Sequence, residues 1–137
     1  LFFLKEVDRV KNVLKERYRR PRPFLTYKDL KPCLPLESSF SFPSGHSTWY
    51  AAAGLLLADL LPQRRQRLLS MGQQGGYARA YCQVHYPSDV LASERLARAI
   101  SKDIIASAQW QAFRRQVAVE LPALLQPPPG GLPLLSH

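Results

Sequence analysis

The chain has 137 residues, 46% hydrophobic and 21% charged, a balance that excludes intrinsic disorder and, at this length, a second independent domain. Nineteen Lys and Arg against ten Asp and Glu give a formal charge of +9, so the expected partner is an anion: a phosphorylated small molecule, a nucleic acid or an acidic membrane surface. The longest weakly charged stretch, Leu36 to Ala58, holds an apolar run well short of the ~20 residues a membrane span needs, so no transmembrane segment is predicted.

The opening Leu-Phe-Phe-Leu is followed at once by Lys5 and is too short for the apolar region of a signal peptide. From Leu4 to Tyr18, Val7, Val10, Val13 and Leu14 recur at three-and-four spacing and predict an amphipathic helix that ends before Pro21 and Pro23. Phe24 to Phe42 has no sustained period and reads as a long loop, a feature usually tied to function. Ser44 begins a second helix that runs to Leu60 and is apolar on nearly every side, as befits the centre of a bundle. Arg64 to about Tyr81 forms a third, in which Gly72, Gly75 and Gly76 let another backbone approach. A fourth starts near Pro87 and continues with Val90, Leu91, Leu96, Ile100 and Ile104. A fifth spans about Ser107 to Leu124, with Trp110, Phe113, Val117 and Leu121 on one stripe. Residues 1–125 thus read as one helical domain and the Pro/Gly-rich 126–137 as a tail. With no stretch of period two, the class is an all-α single-domain bundle of about five helices, its active site at helix ends and a long loop.

Three clusters carry chemistry: Lys15, six residues, then Arg22-Pro23; Pro43-Ser44-Gly45-His46; and Arg79, five residues, His85, three residues, Asp89. A helix opening at Ser44 to His46 aims free amides and a positive dipole end at what precedes it, which suits phosphate. Lys15, Arg22 and Arg79 are placed to surround phosphoryl oxygens and supply the charge stabilisation that a metal supplies elsewhere. His85 and Asp89 lie within reach at a helix start, so the carboxylate can hold the Nδ1 proton and leave Nε2 as a nucleophile, with His46 as general acid. No His-Glu-x-x-His, Cys-x-x-Cys or acidic cluster is present, so neither a metal nor another cofactor is expected. Arg64, Arg65 and Arg67 read as a solvated helix start, Trp110 and Phe113 as core, Tyr77 and Tyr81 as packing residues. Cys33 and Cys82 are compatible with one bridge or with two separate thiols.

In order and spacing the three clusters resemble the signature of the type 2 phosphatidic acid phosphatase superfamily, which includes bacterial class A non-specific acid phosphatases and vanadium haloperoxidases. Pro21-Arg22-Pro23-Phe24 and a Cys ahead of Pro-Ser-Gly-His are most similar to the acid phosphatase branch. The resemblance implies a metal-independent phosphomonoesterase working through a phosphohistidine: His85 as nucleophile, Asp89 as its partner, His46 as acid, and Lys15, Arg22, Ser44, Gly45 and Arg79 on the phosphate. The implied substrates are small phosphate monoesters, with inorganic phosphate and vanadate as inhibitors and no nucleic acid partner. A vanadate-dependent haloperoxidase and a basic nucleic-acid-binding helical module are the rival readings. Convergence of the motifs on one phosphate implies a Cys33–Cys82 disulfide, which the branch's periplasmic or secreted location would let persist. Two departures stand out: Ala78 replaces a serine ahead of Arg79, and family members carry a helical segment before the first motif. The second implies a processed or truncated chain, or a homo-oligomer in which another subunit supplies that wall.

Overall fold

The computed structural model describes residues 2–126. They form, in order, α1 (Phe2–Tyr18), α2 (Pro23–Thr26), α3 (Gly45–Leu60), a 3-10 turn (Pro62–Arg64), α4 (Arg65–Tyr81), α5 (Pro87–Ala106), α6 (Ala108–Val117) and α7 (Leu121–Leu125). No strand occurs among the described residues, in keeping with the all-α expectation. Of the predicted tail, 126–137, all but Gln126 lies outside the described residues.

Local chemistry sets the helix limits. α1 is followed by Arg19 and the end of α4 by Gln83, both in left-handed backbone at φ of 45° and 61°, the conformation that turns a chain out of a helix. Ser44 caps α3 by accepting from the Ser47 amide at 3.3 Å, and Ser107 caps α6 by accepting from the Trp110 amide at 3.2 Å. α5 starts with Pro87, and the Asp89 carboxylate accepts the Tyr86 amide at 2.9 Å. Two expectations change. The helix predicted over 107–124 stops at Val117 and resumes at Leu121, because Pro122 has no amide to donate back and its ring would meet the carbonyl of Ala118. The predicted loop contains α2, a single turn too short to register as a period.

α3 packs on α1, α4 and α5. Val7, Ala52, Leu56, Ala97, Ile100, Ile104 and Trp110 form the buried core, with Phe3 edge-on to Trp110 at 4.9 Å. The Trp110 indole donates to Asp59 at 2.7 Å, so its polar end is satisfied while the ring is buried. α3 is less enclosed than its apolar sequence suggests: Tyr50 and Leu57 stay exposed. Tyr77 and Tyr81, expected to pack, are exposed on α4 as well. The approach of α3 to α4 runs over glycines. A Cβ at Gly54 would lie 2.8 Å from the Leu68 carbonyl oxygen, and one at Gly72 would lie 2.8 Å from that of Tyr50.

Cys33 and Cys82 are joined by a disulfide with Cα atoms 4.8 Å apart, and the Cys33 amide donates to the Cys82 carbonyl at 3.3 Å. Nearby, the Lys31 amide donates to the Gln83 side chain at 2.9 Å. The loop is therefore pinned to the C-terminal end of α4, three residues beyond Arg79.

Because both clashes at the crossing are with backbone oxygens, Gly54→Ala should destabilise the fold by about 1–3 kcal/mol. At Gly75 the added Cβ meets only the exposed Tyr50 side chain, at 2.7 Å, so Gly75→Ala should stay within about 1 kcal/mol of wild type, the clash being offset by the helix preference of alanine. Urea denaturation of both variants would reverse the assignment of the crossing if Gly75→Ala proved the more damaging.

Candidate active site

The residues singled out from the sequence converge where the starts of α3 and α5, the ends of α1 and α4 and the 27–44 loop meet. They form two layers. The inner one holds Arg22, Ser44, His85 and Asp89, all almost fully buried. The outer one borders an open cleft of about 440 Å³ lined by Lys11, Lys15, Glu37, Gly45, His46 and Trp49, among others.

Arg22 ties the layers together. Its Nε donates to the Ser39 carbonyl at 2.8 Å, and Nη1 donates to the Val84 carbonyl at 3.0 Å and lies 3.0 Å from His85 Nε2. Nη2 donates to Glu37 Oε2 at 2.8 Å and to Ser39 Oγ at 2.9 Å. A guanidinium can only donate, so His85 Nε2 must present its lone pair to Arg22 and the neutral ring carries its proton on Nδ1. That nitrogen faces Asp89 Oδ2 at 3.4 Å. The tautomer required of a nucleophilic Nε2 is thus imposed from both sides. Nε2 is not free, however: the sequence reading left it open, whereas the fold sets it against Arg22.

Asp89 is held by more than His85. Ser41 Oγ donates to its Oδ2 at 2.5 Å, the Tyr86 amide donates to the same oxygen, and Arg20 Nη1 donates to Oδ1 at 2.8 Å. Arg20 in turn stacks over the Tyr86 ring at 3.8 Å. Burial would raise the Asp89 carboxyl, but its bonds from His85, Ser41 and the Tyr86 amide, together with Arg20, outweigh that and hold it below its ordinary value. Burial also pushes the His85 imidazole down, with Asp89 opposing.

Glu37 dominates the outer layer. Its Oε1 accepts from Arg79 Nη2 at 2.5 Å and lies 3.7 Å from His46 Nδ1, while Oε2 binds Arg22. Burial acts to raise this carboxyl, yet Arg22 and Arg79 hold it below the usual range. His46 is about half exposed and is pushed down by burial and by Arg79. Lys15 donates to the Phe40 carbonyl, and burial, reinforced by Arg22, lowers its ammonium to about 8. Ser44 is turned inward: its hydroxyl oxygen accepts from Ser47 Oγ at 2.8 Å as well as from the Ser47 amide, so Gly45 rather than Ser44 borders the cleft. Ala78 is exposed on α4.

Sequence reasoning did not find Glu37, Ser41, Ser39 or Arg20. Glu37 carried one signal, as an acid in a long loop otherwise built of Pro, Ser and Lys. The other three bind groups far away in the chain and have no local pattern to reveal them. No group of His, Cys, Asp and Glu suited to a metal ion is found among the described residues, nor is any described helix long and apolar enough to cross a membrane.

The model of the PAP2 superfamily matches residues 7–114. A non-specific acid phosphatase of Providencia stuartii is 34% identical over 87 residues, covering 61% of this chain and 35% of that protein. An acid phosphatase of Zymomonas mobilis is 34% identical over 99 residues, 67% of this chain and 35% of its own length. The chain thus spans about a third of the curated relatives it matches. In structure it is similar to a transmembrane PAP2 type phosphatidylglycerolphosphate phosphatase from Bacillus subtilis, with a TM-score of 0.57 and 27% identity over 85% of this chain and 57% of that one.

Asp89→Asn keeps the size of the side chain but removes the charge that Arg20 and Ser41 address, and should cost about 1–3 kcal/mol at neutral pH. With its folded value below 3.8, the ionised Asp89 stabilises above that pH and ceases to do so as pH falls through the depressed value. The gap between wild type and variant, followed by denaturation at successive pH values, should therefore close in acid; a gap independent of pH would contradict the electrostatic account.

Proposed function

The chain belongs to the PAP2 superfamily, and on that footing we propose that it is a metal-independent acid phosphatase that hydrolyses small phosphate monoesters through a phosphohistidine. The observation that carries this reading is the placement of His85: its Nε2 lone pair faces Arg22 and its Nδ1 faces Asp89, and Arg22 in turn binds Glu37 and Ser39, which line the cleft with Lys11 and Lys15.

In this reading the phosphoryl group lies among Lys15, Arg22, Arg79 and the amides at the start of α3, where the helix dipole adds positive potential. His85 Nε2 gives up its bond from Arg22 Nη1, which turns to the phosphoryl oxygens, and forms a bond to phosphorus as the ester P–O bond breaks, the departing oxygen taking a proton from His46. Asp89 stabilises the imidazolium that develops. Water then attacks phosphorus, gives its proton to His46, and the P–N bond breaks to release inorganic phosphate. Charge on the equatorial oxygens is met by fixed side-chain cations. Vanadate, which adopts the same trigonal-bipyramidal geometry, should inhibit, as should phosphate. The disulfide supports a further part of the proposal, export to the periplasm or beyond, since such bonds persist in oxidising compartments.

His85→Asn should lower kcat for p-nitrophenyl phosphate by at least about 10³-fold, since it removes the attacking atom; near-normal turnover would overturn the mechanism. His46→Ala should reduce alkyl phosphate hydrolysis at least about tenfold more than that of the nitrophenyl ester, whose leaving group needs little protonation. Equal losses would reduce His46 to a binding role.

The pH dependence follows from two depressed bases. His46 acts only when protonated, so hydrolysis of alkyl esters should decline as pH rises through a value below 6.5. Lys15 loses its charge as pH rises through about 8, so KM should climb there. Lys15→Arg, which stays charged, should abolish that rise in KM while leaving the His46 limb in place. An unchanged KM profile in the variant would remove Lys15 from the phosphate clamp.

A further inference from the structure

Arg22 has five N–H donors, and all five are engaged, by the Ser39 carbonyl and hydroxyl, the Val84 carbonyl, His85 Nε2 and Glu37 Oε2. An incoming phosphoryl group can bind Arg22 only by replacing one of them. Two are backbone carbonyls that hold the loops, one is the proposed nucleophile and one is a neutral hydroxyl. The remaining acceptor, Glu37, is an anion on a loop, and its second oxygen holds Arg79 as well. Arg79 is more than nine-tenths buried, and its Nε has no partner in the structure. Glu37 therefore spans two guanidiniums with its two oxygens, as an oxyanion with two equatorial oxygens would.

We propose that Glu37 is an internal anion seated in the phosphoryl position, displaced from Arg22 and Arg79 by the substrate's phosphoryl group and returning to them as inorganic phosphate departs. The inference rests on the proposed phosphatase reading for the identity of the anion. Glu37 is a positioning residue here: it touches neither the reacting atoms nor the leaving group once displaced. Between turnovers it neutralises two buried cations and keeps their forks parallel. During turnover it weakens the holding of product, which meets the same cations as substrate and would otherwise leave slowly.

Internal competition has a signature. A tethered competitor that leaves the seat lowers the affinity of every anion by one common factor, whereas a carboxylate that stayed beside the ligand would repel a dianion more than a monoanion. Glu37→Gln keeps the shape and removes the charge. Affinity measured by thermal shift and by isothermal titration with phosphate, sulfate and perrhenate, three tetrahedral anions, should rise about ten- to hundredfold for each, the scale of one charge-assisted hydrogen bond. The factor should be nearly the same for singly charged perrhenate as for doubly charged sulfate. Glu37→Asp, too short to bridge both guanidiniums, should fall between the two, and this series keeps the test valid should the Gln variant fold poorly. In steady state, KM for p-nitrophenyl phosphate and the inhibition constant of phosphate should fall by that same factor.

Unchanged or weakened anion binding in Glu37→Gln would overturn the proposal, as would a gain that grows with the charge of the probe. A crystal structure of the vanadate complex provides the direct check: Glu37 should be away from both guanidiniums, and a carboxylate still bridging them would sink the idea. None of these binding measurements needs turnover. Anion binding that follows the predicted factor in a protein without hydrolytic activity would leave this inference standing and remove the phosphatase reading instead.

Discussion

A guanidinium taken out of water costs several kcal/mol unless its charge is paired and every N–H finds an acceptor. Arg22 is 1% exposed, and meeting that requirement dictates much of what surrounds it. Its acceptors come from Ser39 and Glu37 in the long loop and from Val84 and His85 at the start of α5. Two segments more than forty residues apart must therefore converge on it. The disulfide and the Lys31–Gln83 bond bring the same loop to the same end of α4, so the satisfaction of one buried cation and the covalent closure of the loop favour the same arrangement. The active-site geometry follows, because the atom that satisfies one Arg22 donor is the lone pair of the proposed nucleophile.

The arrangement also balances charge in layers. Behind His85 stands Asp89, itself answered by Arg20. Toward the cleft, inner-layer Arg22 joins Arg79 and Lys15; among the described residues Glu37 is the carboxylate that pairs with both guanidiniums, and Lys15 donates to the Phe40 carbonyl. The inner layer is saturated: Asp89 takes four donors, from Ser41, Tyr86, Arg20 and His85. The outer layer is short of negative charge: Lys15 and His46 are depressed first by burial and then by the neighbouring guanidiniums of Arg22 and Arg79. In the proposed phosphatase reading, this deficit is what the substrate's phosphoryl group would offset.

Helix existence and most helix limits were legible in the chain because they depend on neighbours in sequence. Ser44, Pro87 and Ser107 announce helix starts, and Gly72 correctly marks a place where another backbone comes close. The split of the last predicted helix was also visible in principle at Pro122, but the apolar stripe through Leu121 outvoted it. The convergence of the motif residues was legible for a different reason: in the proposed reading, phosphate chemistry needs particular side chains at spacings that helix starts impose. What stayed hidden is the set of groups whose role exists only in three dimensions. Ser41 matters because Asp89, forty-eight positions away, lies 2.5 Å from its hydroxyl, and nothing in the string Ser38-Ser39-Phe40-Ser41 separates that serine from its neighbours.

Ser44 shows what a motif residue does for the frame of the site. Its hydroxyl oxygen accepts from the amide and hydroxyl of Ser47, and its carbonyl accepts from Thr48 and from Ser93 on α5. These bonds fix the first turn of α3 against α5 and so fix the direction in which the free amides near Gly45 point. Gly45 has its own constraint: a Cβ there would lie 3.2 Å from the side chain of Lys11, which also lines the cleft. Serine thus aims the helix and glycine leaves room at its tip. An oxyanion meeting that tip would find backbone donors first, with cations on either side. The short sequence Pro43-Ser44-Gly45-His46 thereby combines, within one turn, a helix cap, an open approach and the imidazole that the proposed mechanism uses as its acid.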